Sequence, residues 1–129
     1  MTEGGAGHGE AQALVVGRRG EAVTLTLNRA SARNALSRAL LGALTEAVAS
    51  LEVDPTVRTV TVRGAGGSFC AGADLRERAT MTEADVIGFL GALNATLTAI
   101  ERSRHIYIAA VDGPALGGGL ELALACDLR

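Results

Sequence analysis

The chain has 129 residues, a net charge of −2 and 48% hydrophobic residues, enough for the core of one domain or part of one, and too little positive charge to hold a nucleic acid. Three aromatics, Phe69, Phe89 and Tyr107, are too few for base-stacking platforms. All twelve basic residues are arginine, so no lysine within this chain supports Schiff-base or P-loop chemistry.

Residues 1–12 are Gly-rich and lack any hydrophobic period, and they read as a disordered tail ahead of a folded domain at 13–129. The N-terminus has no basic stretch leading into an apolar one, so no signal peptide is expected. No apolar run reads as long enough for a bilayer. Two cysteines, Cys70 and Cys126, make no disulfide framework and are expected to be reduced, partly buried thiols. A cytoplasmic protein without a membrane partner follows as the expectation.

Leu14–Arg18 and Ala22–Leu27 read as two strands of a hairpin around Gly20, with Val23, Leu25 and Leu27 alternating against Thr24 and Thr26. Asn28–Ala35 is a polar loop carrying two arginines. Ser37 is placed to cap a helix running to about Leu51, with Leu40, Leu41, Leu44, Val48 and Leu51 on one face, ended by Asp54-Pro55. Val57–Arg63 alternates as a strand. Thr82 is placed to cap a long helix to about Arg102, with Val86, Phe89, Leu90, Leu93, Leu97 and Ile100 inward. Its interior glycines, Gly88 and Gly91, cost helix propensity and suggest close packing. Ile106–Val111 reads as a buried strand and Leu120–Cys126 as the start of a helix. Strands alternating with crossover helices predict an α/β chain with parallel strands.

Two stretches carry chemistry. Gly113-Pro-Ala-Leu-Gly-Gly-Gly-Leu-Glu-Leu-Ala-Leu-Ala-Cys-Asp127 places three glycines between a strand and a helix. The first N–H groups of a helix lack internal partners and carry the positive end of its dipole, so Gly117–Gly119 offers donors to a polarised oxygen. Glu121 follows Gly118 by about one turn, and a carboxylate beside such donors suits an enzyme that forms an enolate and moves protons. The plainer alternative is a Gly-rich turn with an exposed glutamate in the first turn, where the dipole favours it. Upstream, Gly64-Ala-Gly-Gly-Ser-Phe-Cys-Ala-Gly-Ala-Asp-Leu75 lies just after a predicted strand, where α/β sites collect. Phe69 stands where a dinucleotide fingerprint needs its third glycine. Ala71-Gly72-Ala73 leaves the backbone accessible. The plainer alternative here is a tight turn in which Asp74 satisfies local N–H groups.

Phe69-Cys-Ala-Gly-Ala-Asp-Leu75 and Gly113-Pro-Ala-Leu-Gly-Gly-Gly-Leu-Glu-Leu122, in this order and each after a strand, resemble the enoyl-CoA hydratase/isomerase family, the crotonase superfamily. Leu27-Asn-Arg-Ala-Ser-Ala-Arg-Asn-Ala-Leu36 resembles that family's first CoA-side loop, and the likeness runs from about Val15 to Arg129. The resemblance implies a crotonase-like α/β spiral of β-β-α turns, incomplete at the C-terminus, that binds an acyl-CoA thioester. It implies that the backbone N–H groups of Ala73 and Gly118 polarise the thioester carbonyl and that Glu121 is the first catalytic glutamate. By the same likeness Arg29, Ala32 and Arg33 of the first loop, Ala71, Gly72, Ala73, Asp74, Leu75 and Arg76 of the second, and Gly117 with Gly118 lie along the substrate. Coenzyme A enters as part of the substrate, and no metal or separate cofactor is implied.

Ala30 and Ile106 stand where the family often has proline, changes of backbone stiffness rather than chemistry. The family's second acid, and the helices that close its CoA site and build its trimer, come later than Arg129 in the family's order. The chain is therefore expected to cover about the N-terminal half of such an enzyme, to be inactive alone, and to form the family trimer only at full length. Hydration of a 2-enoyl-CoA is the leading expectation. A double-bond isomerase or other enolate chemistry on the same scaffold, and a non-catalytic acyl-CoA-binding or interaction protein, remain as alternatives.

Overall fold

A computed structural model describes residues 12–129, so residues 1–11 of the expected tail lie outside the described residues. The chain opens on a hairpin of β1 (Leu14–Arg19) and β2 (Ala22–Leu27), antiparallel about a turn at Gly20. β1 buries only Leu14, whereas β2 buries Val23, Leu25 and Leu27 on one face, as its alternation predicts. α1 (Arg38–Glu52) then crosses to β3 (Thr59–Gly64), and α3 (Glu83–Glu101) crosses to β4 (Ile106–Ala110), with a four-residue helix α2 (Leu75–Arg78) before it and α4 (Gly118–Ala125) after β4. The sheet order is β1-β2-β3-β4, with β2, β3 and β4 mutually parallel.

Register explains the core. Val23 pairs with Val60 and Val60 with Tyr107; Leu25 pairs with Val62 and Val62 with Ala109. Because side chains alternate along each strand, these two rows fall on one face, and all six residues are buried. They form one cluster with Leu40, Leu41, Leu44, Val48 and Leu51 of α1, Leu93 and Ile100 of α3, and Leu122 and Ala123 of α4. The predicted face of α1 is therefore the observed one, and Ser37 caps it by accepting from the Leu40 N–H at 3.0 Å. Thr82 caps α3 in a reciprocal box with Asp85.

Several expectations need correction. β3 begins at Thr59 rather than Val57, because Asp54–Val57 closes a turn and both Arg58 and Thr59 donate to the Glu21 carbonyl. β4 is buried on one side only, at Tyr107 and Ala109; Ile106 and Val111 are exposed because α helices cover a single face of the sheet. On α3, Leu93 and Ile100 are buried as expected, Val86, Phe89 and Leu97 are half-buried, and Leu90 is exposed. Thr96 takes an inward place by hydrogen bonding to Thr45 of α1 at 2.8 Å and to the Ala92 carbonyl. Gly88 and Gly91 do not mark close packing: among the described residues a Cβ at either would meet nothing within 4 Å. α3 is also long and apolar enough, by length and composition, to cross a bilayer, contrary to the sequence reading, although its Leu93, Thr96 and Ile100 are seated in the protein. After α4, Asp127 and Leu128 run beside β4, with Ala109 donating to the Leu128 carbonyl and Leu128 paired in parallel with Ile108.

Candidate active site

The site is assembled from three loops, each leaving the C-terminal end of a parallel strand. The first, Asn28–Ser37, follows β2. It turns through a 3-10 segment at Ala30–Ala32 and two left-handed residues, Arg33 and Asn34. Asn34 is fully buried, and its amide is fully engaged. Its Oδ1 accepts from the Arg29 N–H at 2.8 Å, and its Nδ2 donates to the carbonyls of Ala65 and Ser68, each at 2.9 Å. Asparagine tolerates the left-handed region better than most residues, and here its side chain ties the first loop to the second.

The second loop, Phe69–Asp74, is an extended strip held on both sides. On one side Cys70 accepts from Leu116 at 3.0 Å and donates to Pro114 at 3.1 Å. On the other, Ala71 donates to Arg33, Leu36 donates to Gly72 at 2.7 Å, and Asp74 donates to Leu36 at 3.3 Å. Leu36 therefore bonds the residues flanking Ala73 and pairs in parallel with Ala73 itself. In a parallel ladder the partner so flanked directs its own N–H to the opposite side. Accordingly, the Ala73 N–H has no protein acceptor among the described residues.

The third loop brings the glycine run against this strip. Gly72 has φ +96, and a Cβ there would lie 2.9 Å from the Leu116 carbonyl oxygen and 3.7 Å from the Gly118 nitrogen. Gly117 caps α4 at φ 51 and ψ −122, a region open essentially to glycine alone, and its Cβ direction meets the Gly72 Cα at 3.9 Å. Ala73 and Gly118 each follow one of these two glycines. The Gly118 N–H, first of α4, likewise has no acceptor among the described residues. The expectation that all of Gly117–Gly119 offers donors is too broad. Gly119 donates to the Leu116 carbonyl at 2.8 Å, and a Cβ on it would sit 2.1 Å from the Cys70 carbonyl oxygen. That glycine exists for packing.

Around Ala73 lies a pocket of about 820 Å³ whose lining includes Arg29, Ala32, Ala71, Asp74, Leu75 and Arg76. Most of the expected substrate-side residues thus share one concavity; Arg33 is exposed outside it, and Gly72, Gly117 and Gly118 are not among its lining residues. Arg29 and Asp74 are engaged with each other at 2.9 Å, and Arg29 also donates to the Ala35 carbonyl at 2.6 Å. Asp74 caps α2 by accepting from Glu77 N–H at 3.1 Å, which, ahead of Arg29, holds its carboxyl below the usual carboxylate value. Glu77 in turn accepts from the Arg38 N–H at the start of α1. The sequence reading missed α2; the spacing Asp74-x-x-Glu77 was the signal that announces it.

Glu121 stands one turn along α4, its N–H donating to Gly117 at 3.0 Å. Its exposed side chain lines a separate groove of about 320 Å³ with Leu97, Thr98 and Glu101 of α3 and Leu124. Both cysteines are free and fully buried, more so than expected, and burial pushes the Cys70 thiol up and the Cys126 thiol to about 11. Among the described residues no group of three or more His, Cys, Asp or Glu is gathered as metal ligands.

The enoyl-CoA hydratase/isomerase family profile matches residues 18–129. The chain belongs to this family. Human mitochondrial methylglutaconyl-CoA hydratase is 49% identical over 108 residues, covering 83% of this chain and 32% of that protein. The human mitochondrial enoyl-CoA hydratase domain-containing protein 2 is 46% identical over 130 residues, covering 99% of this chain and 44% of that protein. The crystal structure of enoyl-CoA hydratase from Bacillus anthracis superposes with a TM-score of 0.88 at 41% identity, covering 92% of this chain and 46% of that one. The fold is thus the crotonase-like α/β fold expected, and the chain spans less than half the length of these relatives.

Proposed function

We propose that this chain carries the thioester-binding part of an acyl-CoA hydratase site. The observation that carries the reading is the pair of backbone N–H groups at Ala73 and Gly118 without acceptors among the described residues, on loops so close that a Cβ on Gly72 would lie 3.7 Å from the Gly118 nitrogen. Neutral donors fixed by the backbone suit an oxygen that becomes an enolate oxyanion, and one such donor is worth on the order of 3–4 kcal/mol of barrier. The pocket lined by Arg29, Ala32, Ala71 and Leu75–Arg76 would run along the CoA portion, with Arg33 and Arg76 as exposed cations for its phosphates.

In this reading Glu121 accepts a proton from water as the oxygen adds to the β-carbon of a 2-enoyl thioester. The displaced electron pair moves to the carbonyl oxygen, held by Ala73 and Gly118. A second acid from outside residues 12–129 returns a proton to the α-carbon, giving the 3-hydroxyacyl thioester. The names of the relatives favour methylglutaconyl-CoA and a simple enoyl-CoA, for which crotonyl-CoA serves, as trial substrates.

The test is Glu121→Gln in the intact protein. Gln keeps volume and an acceptor oxygen but takes no proton at neutral pH. Turnover is expected to fall by about 10²–10⁴-fold, with acyl-CoA affinity within a few-fold. Turnover close to the parent's removes Glu121 from the mechanism. A parent protein that binds acyl-CoA and turns over neither substrate favours the non-catalytic alternative.

A further inference from the structure

We infer that Leu36 is the positioning residue that sets the separation of the two oxyanion donors. This rests on the thioester-binding reading above. Leu36 is 1% exposed and touches both donor-bearing segments through different atoms. Its main chain holds the second loop on either side of Ala73, donating to Gly72 at 2.7 Å and accepting from Asp74 at 3.3 Å. Its side chain reaches the third loop: a Cβ on Gly118 would lie 3.0 Å from Leu36 Cδ1 and 3.5 Å from Leu93 Cδ2.

The backbone of Leu36 thus fixes where Ala73 directs its N–H, and its Cδ1 is the surface on which the first residue of α4 rests. The first turn of α4 is also braced by Leu93 Cδ2, by the Cys70 side chain and by backbone contacts around Gly72, Leu116 and Cys70. A shorter side chain lets α4 settle toward the first loop. That moves the Gly118 nitrogen while the main-chain pairing leaves Ala73 in place. Donors placed for an oxyanion lose effect when displaced by about an ångström, a change worth about 10²-fold in rate.

The experiment compares Leu36→Val, Leu36→Met and Leu44→Val in the intact protein. Leu44 is equally buried, lies on α1 and makes no hydrogen bond to either donor loop, so it reports the cost of core truncation. Each variant is assayed for turnover per folded molecule with crotonyl-CoA, for affinity, and for the infrared carbonyl stretch of a bound saturated acyl-CoA thioester. Leu36→Val is expected to lose about 10–100-fold in kcat with KM within about 3-fold, and to relax the carbonyl stretch toward its value in water. Leu36→Met, similar in volume, restores most of both, and Leu44→Val lowers the melting temperature alone. A Leu36→Val protein with the parent's carbonyl stretch and kcat overturns the role of Leu36 while leaving the donor pair standing. A parent complex whose carbonyl stretch equals that in water overturns the donor pair, and the role of Leu36 with it.

Discussion

The two glycines inside α3 offer a direct test of the packing described here. Gly88 and Gly91 are exposed, and a Cβ at either position meets no atom of the described residues within 4 Å. Glycine costs about 0.8–1.0 kcal/mol relative to alanine in a helix interior, so Gly88→Ala with Gly91→Ala is expected to stabilise by about 2 kcal/mol. For a chain of this size roughly 3–5 °C accompanies each kcal/mol, giving a rise of about 6–10 °C in Tm. Far-UV circular dichroism melts measure this, and urea titration checks that Cm rises with an unchanged m. Gly119→Ala provides the contrast in the same assay. Its Cβ would lie 2.1 Å from the Cys70 carbonyl oxygen and 2.7 Å from the Cys70 Cβ, and backbone cannot yield as a flexible side chain does. It is expected to destabilise by about 1–3 kcal/mol or more. If either α3 variant melts below the parent, the outer face of α3 is packed against something and the reasoning fails.

Two further outcomes follow from single polar groups. The Asp74 carboxyl is held below its usual value in the folded protein by the Glu77 N–H and Arg29, so the stabilisation is complete above about pH 4 and lost as pH falls through the depressed value. Asp74→Asn, which keeps a capping oxygen, is expected to cost about 0.5–1 kcal/mol at pH 7 and to flatten the loss of stability between pH 5 and pH 2; an unchanged acid slope refutes this. The Tyr107 hydroxyl is buried without a hydrogen-bond partner among the described residues, and burial is the main cause that pushes its pKa up to about 12. Tyr107→Phe is expected to stabilise by about 1 kcal/mol in a denaturant titration, whereas a loss of stability reveals a partner for the hydroxyl.

Periodicity made most of the scaffold legible. The five inward residues of α1 and the alternation of β2 and β3 were readable because a single buried face imposes a single period. α3 was only partly legible for the same reason reversed. It is apolar nearly all round, so its pattern does not distinguish Leu93, which is buried, from Leu90, which is not. Thr96 escaped because its inward place depends on Thr45, a residue on another helix. β4 looked buried because six apolar residues, Ile106–Val111, run together, and only the sheet's one-sided cover shows which of them face out.

The site divides along a similar line. Its second and third loops were legible as glycine-rich turns after strands, but what each glycine is for was not. Gly117 supplies a backbone conformation, Gly118 exposes an N–H without an acceptor among the described residues, and Gly119 admits the Cys70 carbonyl. Three identical residues in a row carry no sign of this division, because it is set by segments some 45 and 80 residues away in the chain. Asn34 and Leu36 were invisible for the same reason. Neither bears chemistry of its own, and each matters through the atoms it holds: Ala65 and Ser68 for Asn34, Ala73 and Gly118 for Leu36. A donor pair made of backbone has no side-chain signature, so its precision has to reside in the buried residues that brace it. The determinants of this site are therefore to be sought in the core between the loops as much as in the residues that face the pocket.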